Sequence, residues 1–292
     1  MVLITAIQAL CFSLIKTGLD FAPPLLFGGV RAMIGGGALL GLVVVKRRTL
    51  VPPKSAWAGT LVLSVVATTI AFGAMFLSPG RTDAGIASAV GNLQPFITLM
   101  LASLWLNEAL TAGKAAAVTL GLTGVTLISY PALADSGALG ISGVSLALAV
   151  SFGSSVGNVF VKRMRLGDLL LTVAGWQLVI GGLLLVLLSA FVEDGPALKL
   201  NIEFLALLLF LALVGTAFVT ALWYAFVQEG EVGRLSTFFF LVPVFGLAIA
   251  AFIFDENVGA LTLGGVFAIL LAVGVMVFEM GSQDSAGRRD PA

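Results

Sequence analysis

Ten stretches of this chain are each apolar for about the length of a membrane crossing, and that succession limits the fold more than any other feature. They run roughly over 2–18, 23–45, 57–77, 84–106, 113–130, 141–161, 169–192, 203–227, 233–254 and 260–279. Crossing about 30 Å of hydrocarbon at about 1.5 Å per residue takes ~20 residues of helix. A backbone exposed to lipid must bond within its own segment, so a helix is predicted for every run. Composition agrees: 59% of residues are apolar and 10% charged, whereas soluble domains are about a quarter charged. Short connections leave no room for a soluble domain, which puts function inside the helices. The first run has no basic leader and no evident cleavage site, so it reads as a retained span.

The fourth and ninth runs are versions of one sequence. At a constant shift of 148 residues, Gly85 meets Gly233, Ser88 meets Ser236, Pro95 meets Pro243, Leu99 meets Leu247 and Glu108 meets Glu256. Runs three and eight align at the same shift through Leu63/Leu211 and Thr68/Thr216, runs one and six at 146 through Lys16/Lys162, and runs two and seven at 145, which pairs Arg31 with Trp176. Two copies of a five-span unit are predicted, over 1–133 and 139–281, followed by a polar tail over 282–292. Basic residues near spans stay on the cytoplasmic side. With the N-terminus inside, eleven Lys and Arg fall inside, among them Lys46, Arg47, Arg48, Lys162 and Arg163, against Lys16, Arg81 and Lys199 outside. Both termini are therefore expected in the cytoplasm. A unit with an odd number of spans makes its duplicate enter from the opposite face. The expected fold class is an all-α integral membrane protein with ten transmembrane helices as two inverted five-helix repeats.

Several chemistries lose their residues at once. Cys11 is the only cysteine and histidine is absent, which removes an internal disulfide, a cysteine-built metal site and the usual proton shuttle. There is no GxxxxGK[ST] loop for ATP, and no Asp or Glu lies deep within a run to support a proton relay. Zero net charge implies no nucleic-acid partner. An intramembrane enzyme would need a nucleophile, an acid–base pair or a metal cluster near one interface, so no enzyme and no cofactor are expected. A structural or receptor role leaves the paired prolines and polar stripes unexplained.

The polar residues inside the runs are the candidate site. Arg31 reads either as an anchor for a substrate carboxylate or as a guanidinium bonded to helix-end carbonyls or snorkelling outward. Ser151, Ser155 and Asn158 share a face of run six, with interhelical packing beside Gly153 and Gly157 as the alternative. Thr216, Thr220 and Trp223 form a stripe on run eight, which also fits simple packing. Pro95 and Pro243 each remove an amide and clash with the carbonyl four residues back, so freed carbonyls are predicted at Gly91 and Phe239. Ser88, Asn92 and Gln94 surround the first proline; Ser236 and Phe240 surround the second. A substrate site is thus assembled from Arg31, Ser88, Asn92, Gln94, Ser155, Asn158, Thr220, Trp223, Ser236 and Phe240, with hinges at Pro95 and Pro243. Glu108 and Glu256 read more simply as pairing groups at helix ends.

Taken in order, Lys16 closing run one, Pro23-Pro24 ahead of Arg31, Gln94-Pro95 with Glu108, Gly121 and Gly124 in run five, Lys162 closing run six, and Pro243 with Glu256 resemble the EamA-type exporters of the drug/metabolite transporter superfamily. The resemblance covers nearly the whole chain. It implies a cavity lined mainly by spans one, three, four, six, eight and nine, and export of small metabolites, often amino acids, across a bacterial inner membrane. The Trp-Gly pair common in the family's first span is Leu10-Cys11 here, and a Trp of the sixth is Phe152, which bears on substrate identity. The expected activity is secondary transport or facilitated export of amino acids, aromatic or hydrophobic ones foremost, by alternating access. Its partners would be the small solute, the bilayer and, in a homo-oligomer, further copies of the chain. A nucleotide-sugar carrier and a quaternary-ammonium or drug carrier of the same superfamily are the alternatives, and each needs more charge in the cavity than Arg31 alone.

Overall fold

A computed structural model describes residues 1–78, 90–135, 141–193, 198–254 and 259–287. Each apolar run becomes a helix: α1 Val2–Gly18, α2 Pro24–Val45, α3 Lys54–Leu77, α4 Gln94–Leu106, α5 Ala112–Asp135, α6 Ile141–Met164, α7 Gly167–Val192, α8 Ile202–Glu229, α9 over 232–254 and α10 Ala260–Gly287. Eight are long and apolar enough to span a membrane; α1 and α4 are shorter apolar helices. Their ends are written locally. Pro24 opens α2 in the first turn, where the missing amide would have had no partner. The Asn201 side chain accepts from Phe204 N at the start of α8. Asn107 stops α4 in the left-handed conformation, at φ 55°.

Glycines decide which helices meet. A methyl built on Gly29 would lie 2.7 Å from the Gly182 carbonyl oxygen, and one on Gly36 2.6 Å from that of Gly175. Residue numbers climb along α2 as they fall along α7, so the two helices run antiparallel with their backbones in contact. In α5 and α10, Gly124 and Gly265 each bring a missing side chain to 2.6 Å from the other's carbonyl oxygen, with the same sense. Both pairs join a helix to its counterpart in the other repeat, and antiparallel counterparts are what an inverted duplication produces. Across the repeats, α1 packs on α9 and α6 on α4.

These contacts correct one alignment. Gly29 is equivalent to Gly175 and Gly36 to Gly182, a shift of 146 rather than 145. In that register Gly35 faces Thr216 of α8 as Gly181 faces Thr68 of α3. Arg31 therefore corresponds to Gln177 and not to Trp176. Gly36→Ala should force α2 and α7 apart and cost about 1–3 kcal/mol, as overpacking of a tight interface does. Gly37→Ala, with open space at its side-chain position, should leave stability unchanged or slightly raised. Thermal unfolding of the two variants in detergent checks the contrast.

Among the described residues, four helical paths are interrupted, in symmetric pairs. π-Helical turns at Ser64–Ile70 in α3 and Leu213–Phe218 in α8 occupy equivalent places. The path into α4 breaks in a turn at 92–93, and α9 tightens to a 3₁₀ turn at Phe238–Phe240. Pro95 and Pro243 follow these breaks, each in the first turn of the helix that resumes. Gly85, Ser88 and Glu256 lie outside the described residues.

Candidate functional site

A π-turn adds a residue to the helix and leaves carbonyls without their usual amide. Arg31, 1% exposed, supplies donors to the one in α8. Its Nε donates to Thr216 Oγ1 at 2.8 Å and Leu211 O at 3.2 Å, and its Nη2 to Gly215 O at 3.3 Å. The rings of Phe72 and Phe76 lie 5.4 and 5.6 Å from the guanidinium carbon. Of the arrangements the sequence offered this is the carbonyl-bonded one, with the carbonyls in the middle of α8 rather than at a helix end, and one buried donor, Nη1, is left without a partner. In the other half Gln177 stands at the equivalent place, while the Ser64 carbonyl of that π-turn is met by Thr69 Oγ1 at 3.0 Å. The Gln177 Nε2 donates to Thr68 Oγ1 at 3.1 Å while its Oε1 accepts from the Tyr224 hydroxyl at 2.6 Å. Sequence reasoning missed both Gln177 and Tyr224; the 146-residue register was the signal that would have found the first.

At the break before α4, the serine stripe of α6 meets the freed backbone. Ser151 Oγ lies 2.8 Å from Gly91 O and 2.9 Å from Val90 O. Ser155 Oγ lies 3.0 Å from Gln94 O and 2.7 Å from Ser151 O, and accepts from Thr98 Oγ1 at 2.9 Å. A hydroxyl has one proton, so each serine serves one of its carbonyls at a time. The carbonyl predicted to be freed at Gly91 thus has its partner on the predicted face. Asn92 sits half-buried at the break, and the fully buried Ser236 donates to Gly233 O at 2.9 Å within the first turn of α9.

Two predicted residues, Asn158 of α6 and Trp223 of α8, bond to one another. The indole Nε1 donates to Asn158 Oδ1 at 2.8 Å, both side chains are over nine-tenths buried, and the indole meets the Phe239 ring edge-on at 4.8 Å. An indole can only donate, so the amide oxygen must face it. The NH₂ half is then left over, and Asn158 Nδ2 is buried with no partner. An unmade bond of this kind costs about 1–3 kcal/mol. Phe240 turns the other way, fully buried against Gly121 of α5, and Thr220 is half-buried on α8. The structure therefore joins Asn158 to Trp223, Ser155 to Gln94 and Arg31 to Thr216, and sets Phe240 apart from them.

One end of the bundle is tied together around the α8–α9 turn. Glu108, swung round by Asn107, accepts from Val232 N at 2.8 Å and Gly233 N at 3.0 Å, placing a carboxylate on the N-terminus of α9. Lys162 Nζ donates to Gln228 O at 2.7 Å and Gly230 O at 2.9 Å, a cation on the C-terminus of α8. The Gln228 side chain accepts from Leu166 N and donates to Val161 O, each at 2.7 Å. Glu231 pairs with Lys114 at 2.9 Å and Arg234 at 2.5 Å. The turn is held from α4, α5 and α6 together. At the other end Glu193 accepts from Leu25 N at 2.8 Å and Leu26 N at 3.2 Å.

The two ends differ in burial as well. Asn158, Val159 and Trp223, just inside the tied end, are buried; their counterparts Phe12, Ser13 and Met75 are 50% exposed, exposed and half-buried. Among the described residues no group of Cys, Asp and Glu could hold a metal ion.

The sequence profile of the EamA-like transporter family matches residues 1–130 and 141–278. The chain is 27% identical over 271 residues to the Uncharacterized transporter YvbV of Bacillus subtilis, covering 93% of this chain and 88% of that protein. It is 29% identical over 288 residues to a Salmonella typhimurium protein named Probable amino-acid metabolite efflux pump, covering 94% and 93%. A solved crystal structure superimposes with a TM-score of 0.80 over 94% of both chains at 17% identity, a likeness of fold.

Proposed function

Because this chain belongs to the EamA-like transporter family, and so is a multi-pass membrane protein that moves small molecules rather than converting them, we propose that it exports amino acids with aromatic or other apolar side chains. The observation that carries this reading is the Asn158–Trp223–Phe239 group: a buried amide with a spare donor beside flat aromatic surface, at a broken helix just inside the tied end. The efflux-pump name of a relative that matches almost the whole chain supports it.

Transport would proceed by alternating access, the repeats over 1–133 and 139–281 exchanging shapes about the breaks next to Pro95 and Pro243. The remaining sequence-chosen residues, Arg31, Ser88, Asn92, Gln94, Ser155, Thr220, Ser236 and Phe240, would line or support the path. In a bacterial inner membrane the end bearing Lys114 and Lys162 would be cytoplasmic, with both chain termini. The tied end is then the inner one, and the conformation is that of a carrier closed to the cytoplasm.

Counterflow in proteoliposomes tests the reading. Labelled phenylalanine should exchange saturably against unlabelled aromatic and branched amino acids, and Trp223→Ala, checked for folding by size-exclusion chromatography, should lose at least about tenfold. Exchange confined to nucleotide sugars or quaternary ammonium compounds would overturn the amino-acid assignment and leave the family standing.

A further inference from the structure

We infer that Asn158 reads an oxygen acceptor, carboxylate or carbonyl, on the transported solute, and that Trp223 holds the amide so that it can read nothing else. This rests on the transporter reading above and deepens it to a substrate class. An amide is ambivalent, since rotation by half a turn exchanges a donor for an acceptor. Here rotation would set the NH₂ of Asn158 against the N–H of Trp223, 2.8 Å from the atom that now accepts. The indole therefore locks the amide, and the half left over is a buried donor without an acceptor.

Among the described residues Arg31 Nη1 on α2 and the Ser129 hydroxyl on α5 are also buried without a partner. Three glutamates at helix ends are occupied: Glu108 by the amides of α9, Glu193 by those of α2, Glu231 by Lys114 and Arg234. A solute entering beside Asn158 thus finds a donor, the Phe239 and Trp223 rings and, among the described residues, no buried carboxylate. Apolar acids and their N-acyl derivatives fit such a place; amines lacking an oxygen acceptor do not.

The test uses the full-length protein in proteoliposomes exchanging labelled phenylalanine, with two competitors. N-Acetylphenylalanine keeps the carboxylate and blocks the amine; phenethylamine keeps the amine and lacks the carboxylate. Phenethylamine should compete at least about a hundredfold more weakly, because a site built to bond a group rejects the analogue without it. In Trp223→Phe, which keeps a ring but removes the indole donor, phenylalanine exchange should fall severalfold and the acid-to-amine ratio should collapse toward one. Asn158→Asp, which replaces the donor by an acceptor, should invert the preference. Equal competition by acid and amine in the wild type, or an unchanged ratio in Trp223→Phe with normal folding, overturns the inference while leaving amino-acid transport intact. Exchange of quaternary ammonium compounds with no phenylalanine exchange overturns both readings.

Discussion

Arg31→Ala should lower the melting temperature of the detergent-solubilised protein by on the order of 10 °C, while Arg31→Gln should lose only a small part of that. The alanine variant strips the α8 π-turn of the guanidinium: Gly215 O loses its partner in an apolar interior, Leu211 O keeps only the Thr216 hydroxyl at 3.0 Å, and Thr216 loses the bond it accepts. Hydrogen bonds from a charged group contribute ~1.5–3 kcal/mol each, and a buried acceptor left bare costs ~1–3 kcal/mol. Part of this is offset because the guanidinium no longer has to be buried, which leaves about 3–5 kcal/mol for breaking such an arrangement. Glutamine retains a donor, and Gln177 shows that an amide at the equivalent place can bond the threonine of a π-turn. Should Arg31→Ala melt like the wild type and lose only solute exchange, Arg31 is a substrate anchor after all.

Glu108→Ala should open the tied end. Two charge-assisted bonds to backbone amides, at 2.8 and 3.0 Å, and the favourable placing of an anion at a helix N-terminus all vanish together. With bonds to a carboxylate at ~1.5–3 kcal/mol each, removal favours the open form by at least ~3 kcal/mol, a shift of more than about a hundredfold in population. Ser236 lies fully buried one turn behind the clasp, so it reports the opening. In a Cys11→Ala background, maleimide labelling of Ser236→Cys should accelerate about a hundredfold when Glu108 is removed, and by less in Glu108→Gln, which keeps one good acceptor. Labelling at an unchanged rate would mean that the α8–α9 turn is no gate.

Much of this fold is written in the order of residues, because burial in lipid imposes long apolar runs that no other environment demands. α1, α2, α7 and α9 begin and end within a few residues of the runs that predict them. The serine stripe of α6 and the carbonyl of Gly91 were legible for the same reason: a proline at a fixed place frees a backbone group, and something polar must answer it. The π-turns were not legible. In each turn a threonine of the turn itself meets the carbonyl five residues back, Thr69 that of Ser64 and Thr216 that of Leu211, with Arg31 of α2 adding a donor in α8; threonine back-bonds in ordinary helices too, so its presence signals no π-turn. The register of α2 on α7 was lost for a related reason, since adjacent glycines match at either of two shifts until a carbonyl approaches one of them. Phe240 illustrates a third limit. Phe238 to Phe240 look alike in sequence, and only packing decides that Phe239 meets Trp223 while Phe240 fills the space over Gly121.

The pairing of Arg31 with Gln177 also bears on the energetics of a working cycle. A carrier made of identical inverted copies would be degenerate: turning it over converts one half-cycle into the other, so both would be equally populated. Substituting a guanidinium for an amide at one of two equivalent braces lifts that degeneracy. The resulting offset cannot by itself drive net flux, which obeys the solute gradient whatever the resting ratio. What it does fix is the side on which the empty protein waits, so half-saturation measured from one face of the membrane should differ from that at the other by the ratio of the two resting populations.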